Sequence, residues 1–164
     1  MREILFRAKR TDNGEWIEGY YAKQSNHACF AHELKYQHFI FKDVCLDFNL
    51  GGLQEFEIIP ETVGQYTGLT DKNGKKIFEG DILRGFEYPF CSNINGEFNY
   101  FAEIVWFDDS SAFGTYTFKN PKSNVRDISE GNTDYLEYFN ADKWEVIGNI
   151  YDNPELLEGG GGDG

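Results

Sequence analysis

Positive charge, cysteine and long apolar runs are all in short supply in this chain of 164 residues. Fifteen Lys and Arg stand against 28 Asp and Glu, a formal net charge of −13. A surface of that sign repels a phosphate backbone, which disfavours general nucleic-acid binding. The ordinary reading of the acidity is solubility. A sharper one is mimicry of a nucleic acid, with carboxylates standing where a DNA-binding protein expects phosphates. Acidic soluble proteins are common, so the ordinary reading is preferred. Cys29, Cys45 and Cys91 are odd in number and widely spaced. No disulfide framework follows from them, and a reducing compartment is the expected setting. No apolar run approaches the length of a membrane span, and Met1-Arg2-Glu3-Ile4 leads directly into a strand pattern with no signal-peptide core. A cytoplasmic protein without membrane contact is expected.

Clean helical stripes are few as well. What the chain has instead is 40% apolar residues, 17% aromatics and 18 glycines, a composition that suits a β-rich fold with a real core. Ile4, Phe6 and Ala8 alternate with Leu5, Arg7 and Lys9, and Thr11-Asp12-Asn13-Gly14 is a turn before Trp16 to Tyr21. This opening reads as a β-hairpin. Residues 25–36 fit either a short helix or a strand with its loop. Strands are expected around Gln37–Lys42 and Phe56–Ile59, with Gly51-Gly52 punctuating the space between and Pro60 ending the second. Thr62–Tyr66 reads as a strand, Thr67-Gly68-Leu69 as a bend and Asp71-Lys72-Asn73-Gly74 as a hairpin tip. Tyr100–Phe107, apolar on nearly both faces, reads as a central strand that pairs with Phe113–Phe118 across an Asp108–Ser111 turn. Phe86–Asn99 is a long loop, and 120–142 is polar and irregular, with Tyr135, Leu136 and Phe139 as a short helix. Trp144–Tyr151 is a final strand, after which Asn153 caps a short helix from Pro154. No internal repeat is present. The division expected is an N-terminal β subdomain (1–60), a second β portion ending in the short helix (61–158) and a flexible Gly-rich tail (159–164). Short strands and frequent turns point to a small barrel or a strongly curved sheet.

No catalytic constellation emerges, and no catalytic, cofactor-binding or metal-ligating residue is assigned. His27, Cys29 and His32 lie close in sequence, but a structural zinc site wants four ligands and no second paired arm exists. Asp108-Asp109 is followed by two serines, which is turn composition. Glu79 and Asp81 flank a glycine, and anchoring a turn through backbone N–H groups is preferred over an acidic site. Nucleophile elbow, P-loop and dinucleotide fingerprint are all missing. Tyr20, Tyr21, Tyr66 and Phe78 lie near lysines, yet core packing explains them better than base stacking.

Two stretches are distinctive. One runs from Val63 to Leu83 and contains Gln65, Tyr66, Thr67, Gly68, Leu69, Asp71, Asn73, Gly74, Glu79, Gly80 and Asp81. The other, Glu145 to Leu157, contains Gly148, Asn149, Tyr151, Asn153 and Pro154. With a looser match at Phe6-Arg7-Ala8, Trp16 and Gly19, they resemble the YopX family, small proteins found mainly in bacteriophages and prophages. The family has no settled biochemical function. The resemblance implies a mostly β fold whose C-terminal part is an SH3-like barrel or small curved sheet, and a bacterial host cell as the setting. It carries over no catalytic residue. Read physically, the signature residues are turn and hairpin chemistry. A non-enzymatic binding or accessory module is therefore expected, acting through protein contacts with host or phage partners or by self-association. The alternative is an acidic inhibitor of a host nucleic-acid-binding protein. A small hydrolase-like enzyme with its site in the long loops ranks last.

Overall fold

The computed structural model describes residues 3–26, 35–46, 50–85, 100–119, 132–135 and 143–157. Residues 27–34, most of both long loops and the Gly-rich tail lie outside them, and with these His27, Cys29, His32, Leu136 and Phe139. The chain divides into two compact units, Met1–Tyr66 and Thr67–Gly164.

In the first unit a meander of four antiparallel strands follows the alternation of apolar residues: β1 (Phe6–Lys9), β2 (Trp16–Asn26), β3 (Lys35–Leu46) and β4 (Leu50–Glu57). The order is β4-β3-β2-β1, with β5 (Gly64–Thr70) beside β1. Register is set at pairs such as Ala8↔Ile17, Tyr21↔Ile40 and Ile40↔Phe56, which put the apolar members on one face. That face forms a core of Ala8, Ile17, Ile40 and Ile58, with Phe6, Tyr21, Phe56 and Val63 packed against it. Gly51 and Gly52 do not interrupt β4. They pair with Cys45 and Val44, because a ladder hydrogen bond needs no side chain. Pro60 opens a single 3-10 turn, Pro60–Thr62, whose Thr62 hydroxyl accepts from Lys9 N at 2.9 Å.

β5 carries the chain into the second unit. Thr67-Gly68-Leu69 lies within this strand and is not a separate bend. β5 pairs there with β6 (Lys76–Phe78). The antiparallel sheet that follows contains β7 (Asp81–Gly85), β8 (Tyr100–Phe107), β9 (Ala112–Lys119), β10 (Asn132–Tyr135) and β11 (Trp144–Asn149), in the order β10-β9-β8-β7-β11. β8 is central, as its two apolar faces demand. Ile77, Leu83, Ala102, Ile104, Phe113, Trp144 and Val146 make the core. Tyr135 belongs to a strand, not a helix: β10 pairs along β9 from Asn132↔Thr117 to Tyr135↔Gly114, so tertiary pairing overrides a weak local pattern.

The fold is mostly β. The described strands form open antiparallel sheets and close no barrel. At the C-terminus the element is one 3-10 turn, Pro154–Leu156, rather than a helix. Asn153 makes no side-chain cap bond there, since its Oδ1 faces Asn149 N at 3.4 Å.

Gly19 shows how tightly β2 and β3 pack. A Cβ at this position would sit 2.3 Å from the Phe41 carbonyl oxygen, which the ladder holds in place. Gly19→Ala is expected to destabilise the first unit by about 1–3 kcal/mol, the range for overpacking. Urea unfolding with unchanged m-value checks it, and an unshifted midpoint contradicts it.

Candidate functional site

Asp71 organises the first signature stretch. Its side chain is buried, 4% exposed. Oδ1 accepts from Asn73 N at 2.8 Å and from Lys75 N at 2.9 Å, which shapes the hairpin tip as an Asx turn. Oδ2 accepts from Val146 N on β11 at 3.0 Å, 75 residues further along. Beside it, Lys72 N donates to the Trp144 carbonyl at 3.0 Å. One carboxylate thus forms the β5–β6 tip and fastens it to the last strand. Burial by itself would raise the Asp71 carboxyl. The N–H groups of Val146, Lys75 and Asn73, with the Lys75 charge, outweigh burial and hold it below the ordinary value. Lys72 is not simply an exposed tip cation: Lys72 Nζ and Arg84 Nη2 both meet Glu145 Oε2, at 2.8 and 3.0 Å. The bond from Lys72, then that from Arg84, lowers the Glu145 carboxyl.

The Glu79-Gly80-Asp81 turn is strung between strands. Asp81, 1% exposed, accepts from Phe78 N at 2.8 Å. Gly80 N donates to Ile104 O at 2.8 Å, and Gly80 O accepts from Ile150 N at 3.0 Å. Gly80, like Gly74 at the hairpin tip, has positive φ (76° and 80°), where a side chain would be strained. Glu79 does different work from Asp81. It faces half-buried Glu103 on β8, whose carboxyl is raised first by burial and then by the Glu79 charge.

The remaining signature residues are equally local. Gln65 pairs with Phe6, and Tyr66 N donates to Leu5 O at 2.8 Å. Thr67 Oγ1 donates to Ile77 O at 2.9 Å and accepts from Leu69 N at 3.2 Å. In the second stretch Asn149 Oδ1 accepts from Tyr151 N and Asp152 N, both at 2.9 Å. A Cβ on Gly148, in β11, would lie 2.4 Å from Asn153 Oδ1, so a side chain there would displace the Asn153 amide from its place beside Asn149 N. Pro154 starts the 3-10 turn.

The first unit carries a different surface. Arg7 and Lys9 lie over Trp16, at 4.8 and 5.5 Å from the ring centroid. Arg10 lies 4.6 Å over Phe56, and Lys23 4.2 Å over Tyr36. Tyr21 Oη and His38 Nδ1 share a 2.7 Å hydrogen bond, and burial raises the Tyr21 phenol. On the sheet face opposite the core, Tyr20 (52% exposed) stands across from Phe41, and Phe39 follows at 6.4 Å from Phe41. Leu53, 61% exposed, shares that face. Along β4 runs an open cleft of about 320 Å3, lined by Arg10, Thr11, Asp12, Gln54, Glu55, Phe56 and Glu57. Arg10 forms an ion pair with Asp12. Sequence reading missed this cleft, because its walls are more than 40 residues apart in the chain and carry no motif.

Charge is divided unevenly. Met1–Tyr66 has seven Lys and Arg against ten Asp and Glu; Thr67–Gly164 has eight against 18. Asp108 and Asp109 lie exposed in the β8–β9 turn, where Ser110 Oγ donates to Asp109 Oδ1 at 3.2 Å. Among the described residues no three His, Cys, Asp or Glu converge as metal ligands, and no helix is long and apolar enough to cross a membrane.

Two substitutions test these assignments. Asp71→Asn replaces an acceptor with a donor facing backbone N–H groups and is expected to cost about 2–4 kcal/mol near neutral pH. Because the folded-state carboxyl is lowered, its contribution is complete above the ordinary Asp value and fades as pH falls through the lowered one. Parent and variant stabilities should therefore converge in acid; a pH-independent difference in thermal unfolding contradicts the assignment. Glu103→Gln has the opposite sign. Its raised carboxyl makes ionisation unfavourable in the fold, so the variant should melt higher at pH 7 and equally below pH about 4. A lower melting temperature at pH 7 would refute it.

Comparison with known proteins bears on the whole chain. No curated protein matches it. Among solved structures it is similar to protein EF1440 from Enterococcus faecalis, at 23% identity over 96% of this chain and 99% of that one, with a TM-score of 0.47. The sequence model of the YopX protein family matches residues 5–158, both signature stretches included, and the chain belongs to the YopX family.

Proposed function

We propose that this YopX-family chain is a phage- or prophage-borne accessory module that acts without catalysis, by holding another protein. The observation that carries the reading is the outer face of the first unit's sheet, where Tyr20, Phe39, Phe41 and Leu53 share one side and both Tyr20 and Leu53 are more than half exposed. Aromatic and aliphatic side chains grouped on a sheet face are the raw material of a protein-binding surface. The cleft along β4 supports binding better than turnover. Its one hydroxyl, Thr11 Oγ1, donates to the Glu57 backbone carbonyl rather than to a carboxylate, and its one cation is engaged by Asp12.

A second reading, inhibition of a nucleic-acid-binding host protein, draws support from the charge division, since the second unit carries most of the acidic excess.

Photo-crosslinking separates the two. With benzoylphenylalanine at position 20, the intact protein in bacterial lysate should give a discrete, nuclease-resistant adduct that competitor duplex DNA leaves unchanged. The same probe at Asp109 should give none. Capture from position 109 alone, displaced by duplex DNA, supports the inhibitor; silence at both positions removes the module reading.

A further inference from the structure

The backbone of β4 reveals an edge already partly used as a docking strand. Ile58 N donates to His38 O on β3 at 3.0 Å. Glu57 O instead accepts from Thr11 N on the opposite side, at 3.0 Å, and Ile59 N donates to Lys9 O at 2.8 Å. Directions alternate along an antiparallel ladder, so Leu53 and Glu55 also direct their amide and carbonyl groups outward, away from β3. Residues Lys9–Thr11 cover the end of this outer edge through the Arg10↔Ile58 bridge. The chain then turns away at Thr11–Asn13, and the cleft opens there. β4 ends the described sheet.

We propose that this edge takes up an extended segment of a partner protein as an added strand, with Lys or Arg alternating with apolar residues. Main-chain bonds to Leu53 and Glu55 would supply affinity, and the side chains on each face would select the sequence. On one face stand the exposed carboxylates of Glu55 and Glu57. These meet cationic side chains of the segment. On the other face stand Gln54 and half-buried Phe56, where an apolar side chain extends the first unit's core. Arg10 does not cancel the acidic wall, because it is paired with Asp12 and stacked over Phe56. A second copy fits poorly: antiparallel pairing of two β4 edges would set Glu55 and Glu57 near their own kind. A phosphate backbone is repelled by the same carboxylates. The proposal rests on the module reading and names its partner class.

The test uses three fluorescein-labelled nonapeptides with the full-length protein: alternating Lys and Val, alternating Glu and Val, and the Lys–Val peptide with a central Pro. The Lys–Val peptide is expected to bind saturably, at least about tenfold tighter than either control, and to weaken with salt. Glu55→Lys with Glu57→Lys should reduce its affinity by about tenfold or more. Leu53→Pro removes an outward N–H without touching the β3 ladder, so it should melt like the parent and lose binding. Should that variant fail to fold, hydrogen exchange on the parent decides: the Leu53 and Glu55 amides must gain protection when the Lys–Val peptide is added. Equal affinity for all three peptides, binding retained by folded Leu53→Pro, or unprotected amides overturns the proposal. So does a concentration-dependent dimer that Leu53→Pro abolishes, which would make a second copy the occupant. If the position-20 adduct persists while the peptide fails, the groove assignment falls and the module reading stands. If the adduct is lost, the module reading falls by itself.

Discussion

The second unit depends on one buried carboxylate satisfying N–H groups from two distant parts of the chain. Asp71 shapes the hairpin tip with one oxygen and holds Val146 with the other. A buried anion is costly unless its lone pairs are filled, and here backbone donors fill them. Trp144 and Val146 can then enter the core on a strand whose register is fixed from outside the sheet ladder. Ile77, Leu83, Ala102, Ile104 and Phe113 complete that core. The Lys72–Glu145–Arg84 contacts lie on the same junction at the surface, where solvent screens them and their contribution is small.

The rest of the signature follows the same logic. Asp81 meets Phe78 N, and Asn149 meets Tyr151 N and Asp152 N; each polar side chain satisfies backbone groups that a tight turn leaves without ladder partners. A family recognised by such residues is recognised by how it folds. The binding proposed for this chain draws on other places, strand faces and edges whose residues no turn requires. In the first unit these are the cation-stacked aromatics, the Tyr20–Phe41 face and the outward edge of β4.

Legibility in the sequence follows the range of the forces involved. The opening hairpin, the central β8 strand and the Asp71–Gly74 tip were readable because alternation and turn chemistry act over a few residues. Strand status for Gly51-Gly52 and for Tyr135 was not, because each is imposed by a partner strand, Val44–Cys45 in one case and β9 in the other. Asn153 looked like a helix cap from its neighbours alone. Its contact with Asn149 at the end of β11 gives it another role. The β4 cleft had no sequence signal, since Arg10 and Phe56 meet only through the fold.

By itself, the sequence determined that this is an acidic, mostly β chain of the YopX type, since composition, alternation and turn residues are local properties that survive without knowledge of contacts. Tertiary structure alone decided that Asp71 ties the hairpin to β11, that Glu79 confronts Glu103 while Asp81 serves the backbone, and that Leu53 and Glu55 face outward. Each of these depends on pairing between residues far apart in the chain, where register, not residue type, sets which groups meet.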